Sequence, residues 1–182
     1  MDCIQLIDRY YAAQPELREI LVRHSTQVRD RALRIVDAHP EWQVDRDFVA
    51  EGSMLHDIGI LYCNAPGIHC VGTHPYIEHG YLGAELLRQE GFPRHALVAE
   101  RHTGSGITME QVIQEDLQIP WQDYLPVSLE EKIICYADKF YSKSNLERVL
   151  HIDDARRKLW KYGHDAILRW EELVALMNEA ED

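Results

Sequence analysis

With 182 residues and a hydrophobic fraction of 46%, the chain can bury one substantial core and is too apolar to read as disordered. No apolar run approaches the roughly 18 residues of a membrane helix, and the start MDCIQLIDRYYAAQ lacks the basic and apolar segments of a secretory signal. No membrane is expected as a partner, and a formal net charge of -12 works against nucleic-acid duplexes, yet it leaves room for a small anion held by a metal and a few local cations.

Four cysteines without paired spacing read as reduced thiols, and with no export signal the protein is expected to be cytoplasmic. Ten histidines against 19 Lys and Arg are a high proportion and hint at metal chemistry.

Apolar residues recur at three- and four-residue steps and strand-like alternation is absent, so the chain is predicted to be helical nearly throughout. A short helix over about 4–13 precedes a long one from Pro15 to Ala38. The stripe of the long helix, Leu17, Leu21, His24, Val28, Ala32 and Ile35, puts His24 on the core face. Asp45 suits the N-cap of a helix through Phe48, Val49, Gly52 and Leu55 to the pair His56-Asp57. Neighbouring helical residues point about 100° apart, so this pair can share one ion only where the helix ends. Gly59 is expected to end it in the left-handed conformation. Residues 60–75 read as a loop.

Helices are predicted over 75–90, carrying His79 and ended by Gly91, and from Pro93 to Arg101-His102, broken by Thr103-Gly104-Ser105-Gly106. Thr108 to Gln111 and Ser128 to Glu131 have the capping-box pattern, and the second opens a helix with Ile134, Asp138 and Tyr141 on its apolar stripe. An amphipathic region over about 153–179, with a break at Gly163, closes the chain; Trp160, Trp170 and Met177 are assigned there to the core or to a homodimer face. The expectation is a single all-α domain over 1–182, with the helices of 145–182 packing on the rest.

A buried carboxylate such as Asp138 needs a cation or good donors, because burial unpaired costs several kcal/mol. Taken singly, each histidine reads as a satisfied core or surface residue. Six polar positions at helix starts, middles and ends are harder to treat so. Imidazole and carboxylate together suit iron, manganese or zinc.

The order His24, His56-Asp57, His79, His102, Asp138, with His56-Asp57-Ile58-Gly59 written out, resembles the HD-domain superfamily of metal-dependent phosphohydrolases over about residues 23–144. The blocks 100–107 and 129–139 resemble a small HDIG branch of it. His79 and His102 resemble the two-metal members, among them bacterial diadenosine-tetraphosphate hydrolases and HD-GYP cyclic-dinucleotide phosphodiesterases. The GYP signature is missing, since Thr-Gly-Ser-Gly-Ile follows His102.

The resemblance implies a multi-helix HD-domain-like bundle in which His24, His56, Asp57 and Asp138 hold one divalent metal. His79 and His102 complete a second, with Asp57 bridging. Iron or manganese leads, with zinc, nickel and magnesium as alternatives. It also implies hydrolysis of a nucleotide or other small phosphate ester by metal-bound water. Lys139 and Arg101 are the candidate catalytic and phosphate-binding cations, with Lys143 one turn on, and Thr103 belongs to a turn whose N–H groups suit an anion.

Two rivals keep the site: a di-iron HD-type oxygenase and a non-catalytic nucleotide-binding domain. Cys63, His69, Cys70 and His74 are zinc-ligand types without a CxxC knuckle, so residues 60–75 read instead as a lid over the cleft.

Overall fold

Local signals place the first helices. Asp2 accepts from the Gln5 N–H and opens α1 (Cys3–Tyr11), Pro15 opens α2 (Pro15–Ala38), and Asp45 accepts from the Phe48 N–H to open α3 (Arg46–Leu55). These and the elements below belong to a computed structural model that describes residues 1–179; positions 180–182 of the expected domain lie outside it.

The end of α3 departs from expectation. Left-handed glycines among the described residues are Gly91, Gly104, Gly106 and Gly163, not Gly59. The chain instead passes through His56 and Asp57 directly into a 3-10 turn over Ile58–Tyr62. Glycine is required at 59 for closeness: a Cβ there would lie 2.1 Å from the carbonyl oxygen of His79 and 2.4 Å from the backbone nitrogen of Gly83.

The loop expected over 60–75 contains two short antiparallel strands, β1 (Asn64–Ala65) and β2 (Cys70–Val71), with Asn64 opposite Val71 and Ala65 opposite Cys70. Two residues per strand are too few for a readable alternation. A 3-10 turn over Tyr76–Glu78 then leads into α4 (His79–Gln89), and α5 (Pro93–Arg101) packs against it.

Thr108 and Gln111 form the full capping box of α6 (Met109–Gln114). In α7 (Leu129–Asp138) only half of the expected box forms. Ser128 caps the Glu131 N–H, while the Glu131 carboxylate accepts from Val127 N–H at 2.9 Å and from Arg101 at 3.1 Å. After α8 (Ile152–Leu159) and a turn over Trp160–Tyr162, Gly163 breaks the chain before α9 (His164–Met177).

Two apolar clusters form the interior. One joins the later half of α2 to α7 and α9, where Trp170 stacks on Tyr136 with ring centroids 5.1 Å apart. The other joins α1, the start of α2, the end of α3, the 58–62 turn, α4 and α5. His24 lies between Leu21 of the second cluster and Val28 of the first, so the polar residues gather where the clusters meet. Trp170 and Met177 are core residues as predicted, whereas Trp160 is 68% exposed. The architecture is all-α apart from the small ladder, and no described helix is long and apolar enough to cross a membrane.

Candidate metal centre

Five helices deliver six side chains to one buried point. His24 projects from the middle of α2, His56 and Asp57 follow α3, His79 opens α4, His102 follows α5, and Asp138 ends α7. Helix ends suit this task because the backbone turns away and leaves carbonyls free for other partners.

His24 Nε2 lies 3.0 Å from Asp138 Oδ1 and 3.1 Å from Asp57 Oδ2, and His56 Nε2 lies 2.9 Å from that same Asp57 oxygen. On the other side, His79 Nε2 and His102 Nε2 stand 3.1 Å apart, each 3.4 Å from Asp57 Oδ1. The two oxygens of Asp57 therefore face different groups, the placement a bridging carboxylate needs. Among the described residues, these two groups, His24-His56-Asp57-Asp138 and Asp57-His79-His102, are the ones that could hold a metal ion.

Tautomers follow from the backbone. The Nδ1 atoms of His56, His79 and His102 lie 2.7, 2.6 and 2.8 Å from the carbonyl oxygens of Ser53, Tyr76 and Ala99, each three residues earlier. A carbonyl only accepts, so each Nδ1 carries a proton and each ring, when neutral, presents its Nε2 lone pair inward. Two such lone pairs 3.1 Å apart repel unless a cation lies between them.

His56 Nε2 and both Asp57 oxygens are buried without an aligned donor. The Lys143 ammonium does lie 2.6 Å from Asp57 Oδ2, but as an ion pair rather than an aligned hydrogen bond. A set of unsatisfied nitrogen and oxygen atoms fits a divalent ion of intermediate softness.

The protonation equilibria carry the same demand for positive charge. Burial lowers the His56 pKa, but the carboxylates of Asp57 and Asp138 outweigh it and hold the ring up to about 9. Burial, with His102 alongside, pushes His79 down to about 3, and burial also lowers His102. Burial would raise Asp57 and Asp138, yet His56 and Lys143 around the first and Lys139 beside the second hold both well below the carboxylate range.

The expected cations divide. Lys139 donates to the His102 carbonyl at 2.9 Å and pairs with Asp138. It shares the lining of a cavity of about 500 Å³ with Asp138, Lys143 and Tyr76. Arg101 is not brought to this cavity: its guanidinium bonds Glu131 of α7. Nor is Thr103, which faces Gly80 of α4 and lines a separate small cavity with Glu100.

Ala65 to Ile68 form one wall of the large cavity, where the lid was expected. Cys63 and Cys70 are buried in the apolar core while His69 is exposed and His74 bonds Glu78, so no zinc site assembles there among the described residues. Lysines 158 and 161 also reach the large cavity. In the sequence they look like the solvated face of an amphipathic helix, and no local pattern marks them otherwise.

The HD domain family matches residues 21–143. This chain belongs to the HD-domain family. The matched span contains all six candidate ligands of the HD domain and ends at Lys143.

Over 167 residues the chain is 40% identical to "Uncharacterized protein MJ0778" of Methanocaldococcus jannaschii, covering 88% of this chain and 87% of that protein. It is also 35% identical over 157 residues to a tRNA (cytidine(56)-2'-O)-methyltransferase of Picrophilus torridus, and 28% identical over 157 residues to the protein of the same name in Thermoplasma volcanium. Those alignments cover 85% and 86% of this chain but 40% of each methyltransferase. No solved structure matches the chain significantly.

Proposed function

We propose that this HD-domain protein is a metal-dependent phosphohydrolase acting on a nucleotide or another small phosphate ester. What carries the reading is the convergence of four imidazoles and two carboxylates, with three rings locked by backbone carbonyls to aim Nε2 inward. His24, His56, Asp57 and Asp138 would hold one ion, and Asp57, His79 and His102 a second; iron or manganese suits this set best. Metals there would lower the pKa of a water and stabilise charge on a phosphoryl oxygen.

The protein's own part is to bind and orient. Lys139 and Lys143 place two ammonium groups between the ligand carboxylates and the cavity, where an ester phosphate would meet them. The core behind the ligands excludes water from their far side. The named substrate of the two methyltransferase relatives is tRNA; here a net charge of -12 and a cavity of about 500 Å³ favour a small anion.

The test is purified protein loaded with iron or manganese and offered a panel of nucleotides and phosphate esters. Release of phosphate or of a nucleotide is the expected result, and its loss in His56→Ala ties it to the centre. No turnover across the panel at full metal occupancy overturns the assignment. Substrate-dependent oxygen uptake would transfer the protein to the HD-type oxygenases.

A further inference from the structure

The chain has five lysines, and four of them, Lys139, Lys143, Lys158 and Lys161, line the same cavity beside the candidate metal centre. The chain as a whole carries 31 acids against 19 basic residues, these four included, so such a cluster runs against the overall charge.

The four form two pairs. Lys139 and Lys143 pair with the ligand carboxylates Asp138 and Asp57. Lys158 and Lys161 reach the same cavity from α8 and the turn after it, beyond the end of the family match at residue 143. Neither makes an ion pair among the described residues. Their neighbours in the same helix behave differently: Arg156 binds Glu171 and Asp153, and Arg157 binds Asp154. These arginines already complement the negative end of α8, so helix electrostatics leaves Lys158 without an assignment. Partial burial and the nearby Arg148 cation hold the Lys158 ammonium below its ordinary pKa, against the smaller pull of Asp138 and Asp154.

The cavity that the two pairs line is large enough for a small metabolite and too small for a macromolecule. One phosphate at the metal centre would be neutralised by the ions together with Lys139 and Lys143. A second pair of lysines has no role with a monophosphate.

We infer that Lys158 and Lys161 form a second anion subsite, so that the cleft takes a substrate carrying two phosphate groups, one at the metal centre and one on these lysines. This rests on the phosphohydrolase reading for where the first phosphate sits, but the test reads binding rather than turnover. The probes are propylphosphonate and propane-1,3-diphosphonate, which cannot be hydrolysed, titrated calorimetrically into the manganese-loaded protein.

The diphosphonate is expected to bind at least about tenfold tighter than the monophosphonate, as two charge-assisted contacts would give. In the double variant Lys158→Ala/Lys161→Ala this preference should vanish while propylphosphonate affinity stays within about twofold. Both residues are exposed, so the fold should tolerate the change. Lys132→Ala, the fifth lysine, should retain the preference. Equal binding of the two probes by the unaltered protein, or a preference that survives the double substitution, overturns the subsite. Binding of neither probe overturns the subsite and the phosphate reading of the centre together. A failed ester panel with the preference intact removes only the reaction.

Discussion

Replacing Gly59 with alanine should damage both the fold and one half of the metal centre. The added Cβ would sit 2.1 Å from the His79 carbonyl oxygen and 2.4 Å from the Gly83 nitrogen. Carbon and oxygen ordinarily approach no closer than about 3.3 Å, so the overlap exceeds roughly 1 Å. Both obstacles are main chain of α4, and no side-chain rotation relieves them; the 58–62 turn and α4 must separate.

Overpacking typically costs about 1–3 kcal/mol, and a backbone clash belongs at the upper end, near 3. At about 2–4 °C per kcal/mol for a protein of this size, Tm should fall by about 6–12 °C. Because the struck carbonyl belongs to His79 itself, the shift also draws that ring from Asp57 Oδ1, now 3.4 Å away. Affinity at the Asp57-His79-His102 group should drop by about tenfold or more, while the His24 group keeps its ion.

Differential scanning calorimetry with metal analysis of the same sample reads both effects. Gly67→Ala, with nothing within 4 Å of its added carbon, is the control. A Gly59→Ala protein melting within about 1 °C of the parent with unchanged metal content would refute the steric argument.

Asp57→Asn should cost both metals, since each oxygen faces a different group, whereas His79→Ala should cost one; elemental analysis after gel filtration distinguishes them. In chelator-treated protein the two histidine shifts act in opposite directions around the unfolded value of about 6.5. His79, held near 3 when folded, contributes stability above 6.5 that is lost as pH falls toward 3; His56, held near 9, contributes stability below 6.5 that is lost as pH rises toward 9. Denaturant midpoints should therefore peak near pH 6.5, and a steady rise to pH 9 would contradict the His56 assignment. Arg101→Ala should lower stability by about 1–2 kcal/mol through loss of the Glu131 bond and leave KM for any phosphate ester within about twofold. A large rise in KM would return Arg101 to the binding site.

Much of this was legible in the residues because the signals are local. Pro15, Asp45, Pro93, Thr108 and Ser128 each mark a helix start through a property of one or two side chains, and the helices begin there. The six ligand candidates stood out as polar residues in apolar surroundings, and the structure brings all six together.

What sequence alone missed depends on distant partners. Gly59 is set by α4, some twenty residues on, and its need for closeness looks the same in sequence as a need for a left-handed turn. Arg101 beside His102 resembled a phosphate cation until Glu131, thirty positions later, claimed it. Lys158 and Lys161 stand out only once α8 and the turn after it bring them to the cavity that Asp138 lines.

Ser53, Tyr76 and Ala99 have nothing in common but a main-chain oxygen, and it is that oxygen which fixes the proton on each of three imidazoles. Exchanging the side chain at 53 or 99 leaves the acceptor in place, so point mutation there should scarcely touch the centre. The Tyr76 ring, by contrast, also stacks on His79 with centroids 4.7 Å apart, and its loss should loosen that ligand. Fraying is the real vulnerability: one unwound turn at the close of α3 or α5 frees the ring to flip and offer a hydrogen where a lone pair was needed. Coordination here doubles as a gauge of whether those termini are wound.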